Sequence, residues 1–164
     1  MLIWLKILEV TYTVDTLEKL WLQYNEYSNK LAEMLGRTNN IVGEYAEHLA
    51  LKYYGGELLA ISGASADIKA LNGALYQVKA RKLKKASSAQ LGIIRSWDFD
   101  FLVVIIFYPD GKVQRALEFP VDTAKEYGKP NAHQNGWVIT TNQDFLTDER
   151  ARDITEYLCQ APNL

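Results

Sequence analysis

The chain has 164 residues but only one cysteine and two histidines, and each shortage removes a class of chemistry. Cys159 has no internal partner for a disulfide; it lies in a C-terminal apolar stripe, which reads as simple packing in a reducing cytoplasm. His48 and His133 are too few for a histidine-based zinc site. No apolar run approaches the length of a membrane span. Residues 1–10 are apolar but short, carry Lys6 and Glu9, and have no basic leader, so neither a signal peptide nor a spanning helix is expected. There is no G-x-x-x-x-G-K-[ST], G-x-G-x-x-G or G-x-S-x-G, so nucleotide cofactors and serine-hydrolase chemistry have no support. Nor is there an excess of basic charge. With a formal net charge of −2, any polyanion must be met by a local basic patch.

What remains is an ordinary globular composition, 48% hydrophobic and 23% charged, in a length that suits one domain with a full core. Leu17, Leu20, Trp21, Tyr24, Leu31 and Leu35 recur at helical spacing, with Asp15 and Glu18 at the start and Gly36 at the stop, so a long first helix is expected over 14–36. A second helix over about 40–54 buries Val42, Tyr45, Ala46, Leu49 and Tyr53 and ends at Gly55-Gly56. Short strands follow over 57–61, 67–71 and 75–81. Residues 99–107 are the most apolar run and read as a central strand buried on both faces; Pro109-Asp110-Gly111 turns it back into a strand over 112–119. The 82–98 connection is long enough for a crossover, which allows the strands at 75–81 and 99–107 to run parallel. A last helix is expected over 148–160, with Ala151, Ile154 and Leu158 facing in. The fold class is α/β, a central mixed sheet flanked by helices.

The chemistry concentrates in Ser65-Ala66-Asp67 and, ten residues on, Gln77-Val78-Lys79, with the acidic segment Gly43-Glu44-Tyr45-Ala46-Glu47 upstream. Side chains alternate along a strand, so Gln77, Lys79 and Arg81 share one face. Such a row can be no more than the wet face of a hairpin. A two-residue loop at Asn72-Gly73 pairs Asp67 with Val78 and leaves it on the wrong side; a three-residue loop, Leu71-Asn72-Gly73 with Gly73 left-handed, pairs it with Gln77. In the second case a carboxylate, an amide oxygen and an ammonium meet at one spot, a combination suited to a hard cation and a phosphodiester.

The order acidic helix, Asp, then Q-x-K resembles the PD-(D/E)XK nuclease superfamily, the restriction-endonuclease-like fold, over about residues 41–119, with 120–164 as a C-terminal helical extension. The resemblance implies a Mg²⁺-dependent DNA endonuclease of restriction or defence type, with Mn²⁺ as an alternative ion. Carried over residue by residue, it makes Asp67 the main carboxylate ligand and Gln77 and the Val78 carbonyl oxygen ligands. Lys79 comes to lie beside the attacked phosphate, and Glu44 matches the helix acid, with Glu47 three residues on as the other candidate. Ala66 stands where the family has proline, and Gln77 where Asp or Glu is commoner, which removes one negative charge from the ion site. His48 reads as a surface or core-edge residue.

Arg81, Lys82, Lys84 and Lys85 follow the motif as a basic cluster, placed to contact DNA if it is more than a solvated connection; Ser87, Ser88, Gln90 and Arg95 could add polar contacts. Asp98 and Asp100 read as strand-start polar residues, and Trp4, Trp21, Trp97 and Trp137 as core or interface anchors. One site per chain means that cutting both strands takes a homodimer or two visits, and the first helix offers a pairing surface. The competing expectation is a nuclease fold without catalysis, kept as a nucleic-acid-binding or partner-binding module.

Overall fold

Phe101–Phe107, the sequence Phe-Leu-Val-Val-Ile-Ile-Phe, forms the axis of the protein: from Leu102 onward every side chain of this strand is buried. Its β-branched residues suit a pleated strand covered on both faces. The computed structural model describes residues 14–35, 42–59, 65–83 and 88–159. The elements in chain order are α1 (Val14–Leu35), α2 (Val42–Tyr54), β1 (Glu57–Leu58), β2 (Ile68–Lys69), β3 (Leu75–Lys82), β4 (Phe101–Phe107) and β5 (Val113–Pro120). After these come α3 (Val121–Tyr127), β6 (Lys129–Asn131), β7 (Gly136–Val138), α4 (Gln143–Leu146), β8 (Arg152–Asp153) and α5 (Thr155–Leu158). The six-stranded sheet has the order β1-β2-β3-β4-β5-β8, and β6 and β7 pair separately. β3 and β4 run parallel, with Gln77 beside Leu102 and Lys79 beside Val104; the other pairings are antiparallel. The result is an α/β architecture with a mixed sheet flanked by helices.

Because β4 is apolar on both faces, the sheet carries a core on each. Tyr76, Val78, Val103, Ile105 and Phe107 pack against α1, α2 and α5 through Trp21, Tyr45, Leu49, Ile154 and Leu158. Leu102, Val104, Ile106 and Phe119 pack on the opposite face against Leu91, Ile94, Ile139 and Phe145. The inward face of α1 is Glu18, Trp21, Leu22 and Asn25, whereas Leu20 and Tyr24 lie on the exposed side. Polar bonds to other segments set this rotation: Trp21 Nε1 donates to the Gly111 carbonyl at 3.0 Å, and Lys82 Nζ of β3 donates to Asn25 Oδ1. At the end of α2, Gly56 has φ +98°, and a Cβ there would lie 2.1 Å from the Lys69 carbonyl oxygen, so only glycine lets the chain turn beside β2.

The C-terminal region departs from expectation. No single helix covers 148–160; a turn, the short strand β8 and the four-residue α5 stand there, and the 120–164 region also contains the β6–β7 hairpin. Side chains draw the backbone out of the helix: Asp148 Oδ1 accepts the Arg150 N–H at 2.9 Å, and Asp153 Oδ1 accepts the Thr155 N–H at 2.9 Å. Pairing of Arg152 and Asp153 with β5 then covers a sheet edge that a helix would leave open. Ala151, Ile154 and Leu158 do point inward, but into both cores. The 57–61 and 67–71 strands are also shorter than expected, at two residues each. Among the described residues no helix is long and apolar enough to cross a membrane.

Candidate active site

The β2–β3 hairpin turns through Leu71-Asn72-Gly73, the three-residue form. Ala70 N–H reaches the Ala74 carbonyl at 2.9 Å, Asn72 Oδ1 accepts the Ala74 N–H at 3.0 Å, and Gly73 takes φ +86°. Ile68 therefore pairs with Tyr76, and Asp67, just before β2, gives its N–H to the Tyr76 carbonyl at 2.8 Å while its side chain reaches Gln77 and Val78. Asp67 Oδ2 accepts two hydrogen bonds, from Gln77 Nε2 and, at 2.7 Å, from the Val78 backbone N–H. A residue in a strand points its N–H and C=O to the same side. The Val78 carbonyl thus lies along the same edge, past Ile68, the last residue of β2 to pair.

Gln77 is buried and Lys79 half-buried on the face shared with Leu75 and Arg81. Lys82, expected with Arg81 in one basic patch, is on the opposite face, where its Nζ donates to Asn25 Oδ1 and, at 3.5 Å, to Asn29 Oδ1 of α1. The reason is the strand's period of two: residue 82 belongs with Val78 and Ala80, not with Lys79. Lys84 and Lys85 lie outside the described residues, as do Ser87 and Trp4.

Helix α2 delivers the second acid. Glu47 is half-buried, and its carboxyl is pushed up to about 7 by burial, then by the negative charges of Asp67 and Glu44, against the opposing pull of Lys79. Glu44 is exposed one turn earlier, and its charge is felt by Glu47. Glu47 is therefore the helix acid that interacts with both Asp67 and Lys79. Burial also raises the Asp67 carboxyl, opposed by the Val78 N–H, Lys79 and Gln77. The Lys79 ammonium is lowered by burial, opposed by Asp67 and Glu47 and reinforced by Arg95.

Residues 88–98 cross this face as an extended strap. Arg81 Nε donates to the Gln90 carbonyl at 2.6 Å, and a Cβ on Gly92 would sit 3.8 Å from Lys79 Cδ, so the strap lies along the lysine stem. Further on, Ser96 Oγ donates to Ser65 Oγ, and Ser65 Oγ to Asp98 Oδ2 at 3.3 Å, which ties the strap to the residue two before Asp67. Asp100 has the strand-start role: its Oδ2 accepts the Leu75 N–H at 2.8 Å. On its outer side the strap bonds to 137–141, with Leu91 N–H to Ile139 O at 2.9 Å. The Ser65–Ser96 contact and the backing by 137–141 have no trace in the sequence, because an irregular strap carries no periodicity; the dense polar run Arg95-Ser96-Trp97-Asp98 is the one local hint.

The oxygen atoms at this edge are those of Asp67, the Gln77 amide and the Val78 carbonyl, hard donors of the kind a divalent cation takes, with Glu47 near enough for its charge to act on them. Among the described residues no three His, Cys, Asp or Glu side chains form a metal site by themselves. The donor set nevertheless fits a Mg²⁺-like ion, which takes oxygen ligands and keeps several waters. No protein-family model matches the chain, and no curated protein matches it at a significant level.

Proposed function

We propose that the chain is a metal-dependent endodeoxyribonuclease of the restriction-endonuclease-like kind, hydrolysing phosphodiester bonds at the Asp67–Gln77–Val78–Lys79 edge. The observation that carries this reading is one carboxylate oxygen, Asp67 Oδ2, held by Gln77 and the Val78 N–H, with the half-buried Lys79 and Glu47 close enough to perturb it and each other. Three segments of the chain, Gln77-Val78-Lys79, Asp67 and Glu47 on α2, thus come together around one strand edge.

Asp67, the Gln77 amide oxygen and the Val78 carbonyl would hold Mg²⁺ or Mn²⁺, and the bound ion supplies Lewis acidity and a more acidic water. Lys79 places an ammonium against the phosphate oxygens as they gain charge, and its partial burial strengthens that interaction. Glu47, poised near neutrality, takes up the proton released at the site. Arg81 and Arg95 line the approach of the DNA backbone.

A second reading, a catalytically silent nucleic-acid-binding or partner-binding module, is favoured by one specific contact: Gln77 Nε2 donates to Asp67, occupying with a neutral amide the oxygen that a cation would use. Plasmid nicking with Mg²⁺, Mn²⁺ or chelator separates the two. Divalent-dependent cleavage that disappears in Asp67→Ala and Lys79→Ala is the expected result. No cleavage by the parent under any ion, with DNA retained equally by parent and Asp67→Ala, selects the module.

A further inference from the structure

We propose that the tip of the β6–β7 hairpin is a base-reading element, entering a groove of duplex DNA beside the cleaved phosphate with His133, Gln134 and Asn135 at the base edges. The inference rests on the nuclease reading above and assigns its substrate-selecting residues.

Placement is the first ground. The strap that lies along Lys79 is bonded on its other side to β7: Ile94 N–H donates to the Trp137 carbonyl, and Trp137 N–H to the Ile94 carbonyl, each at 2.8 Å. Arg95, whose charge is felt at Lys79, donates through Nη1 to the Gln134 carbonyl at 3.1 Å. One residue thus touches the hairpin tip and acts on the candidate catalytic lysine.

Rigidity is the second. A Cβ at Gly136 would sit 2.5 Å from the Ile94 carbonyl oxygen, so glycine allows the ribbon to press directly on the strap. Asn131 Oδ1 accepts the Gln134 N–H at 3.1 Å, and Asn135 takes φ +49°, a conformation that asparagine tolerates better than most residues. An element fixed by its backbone presents its side chains without the cost of ordering a loop at binding.

Chemistry is the third. Residues 132–135 are all exposed, and among the described residues the side chains of His133, Gln134 and Asn135 make no hydrogen bond within the protein. Residues 129–138 contain no acid and include Lys129, so nothing in the ribbon repels phosphate. A two-stranded ribbon fits the major groove, and amide side chains match the paired donor and acceptor of adenine. These three polar groups carry no hydrogen bond inside the protein and sit on the ribbon that Arg95 ties to the strap along Lys79.

The test is selection of a random-sequence duplex library by the full chain and by His133→Ala/Gln134→Ala/Asn135→Gly, in Ca²⁺ to retain uncut DNA, with plasmid cleavage in Mg²⁺ measured alongside. The glycine keeps the positive φ, and single His133→Ala and Gln134→Ala variants stand in if the triple variant is poorly folded. The expected result is that the parent enriches a sequence motif and the variant loses that enrichment at least tenfold and no longer cleaves motif-bearing plasmid in preference to plasmid lacking it, while non-specific retention of duplex stays within about threefold. Unchanged enrichment in the variant, or a parent that cleaves without enriching any motif, overturns the reading role and leaves the nuclease standing. A parent that neither cleaves nor retains duplex removes both.

Discussion

The Val78 backbone N–H donates to Asp67 Oδ2 at 2.7 Å, so a carboxylate just before β2 is aimed by the main chain of β3. Gln77 binds the same oxygen from the side-chain level, and Lys79 lies one strand repeat further along. The first prediction follows from this pair. Gln77→Glu exchanges an amide donor for a second carboxylate facing Asp67, so without a divalent ion it should lower stability by about 1–3 kcal/mol. Mg²⁺ should restore that loss and raise the melting temperature of the variant more than that of the parent, with cleavage retained. Thermal melts in chelator and in Mg²⁺ measure it; equal Mg²⁺ responses would mean that residue 77 does not face a cation.

Asp67→Ala should leave the Val78 N–H and the buried Gln77 amide without an acceptor, costing about 1–3 kcal/mol of stability as well as all cleavage. Asp67→Asn keeps an oxygen for those donors and should recover part of the stability but none of the activity. Denaturant unfolding of the two variants, beside a nicking assay, separates the structural role of the oxygen from that of the charge. An active Asp67→Asn would place the chemistry elsewhere.

Arg81 and Lys82 are neighbours in sequence on opposite faces of β3, and they should behave oppositely. Arg81→Ala should leave folding within about 0.5 kcal/mol and reduce the slope of log affinity against log salt by about 1, the value for one lost phosphate contact. Lys82→Ala removes the donor to the fully buried Asn25 and should cost about 1–3 kcal/mol with an unchanged slope. DNA binding across a salt series and urea unfolding give the two numbers for each variant. A Lys82→Ala that is stable but flattens the slope would contradict the face assignment.

The raised Glu47 carboxyl makes stability fall with pH in the metal-free protein. Its ordinary value is 4.5 and its folded value about 7, so between the two the folded state holds a proton that the unfolded state has released. The stabilisation is complete below about pH 4.5 and is lost as pH rises through about 7; Asp67, also raised, adds slope at the acidic end. Discounted for partial exposure, the Glu47 share is on the order of 1–2 kcal/mol. Urea midpoints from pH 4.5 to 8 should fall for the parent and fall less for Glu47→Gln. A Glu47→Gln profile parallel to the parent's would assign the slope to other groups.

Local rules placed the hairpin and narrowed its loop to two forms, of which the structure takes the longer. Leu71-Asn72-Gly73 places a left-handed glycine where a three-residue loop needs one, and the alternation of Gln77, Lys79 and Arg81 follows from the strand period alone. The apolar run of β4 likewise announced a strand with cover on both faces and a parallel partner across a long connection. These features are short-range or depend on composition, and the backbone has few ways to satisfy them. Three others depend on packing between distant segments. Glu44 and Glu47 are three residues apart on one helix, and only the docking of α2 on β3 decides which of them meets Asp67. The 148–160 segment has a helical apolar spacing, but the open edge of β5 and the side chains of Asp148 and Asp153 offer its backbone better partners. The strap over Lys79 is held by backbone bonds to 137–141, almost 50 residues away, and by a glycine pressed on a carbonyl. The sequence by itself determined the doubly covered central strand and the face that Gln77, Lys79 and Arg81 share. Tertiary structure decided which acid, which cations and which loop stand beside them, because those choices are made by the burial and hydrogen bonding of groups that share no local pattern.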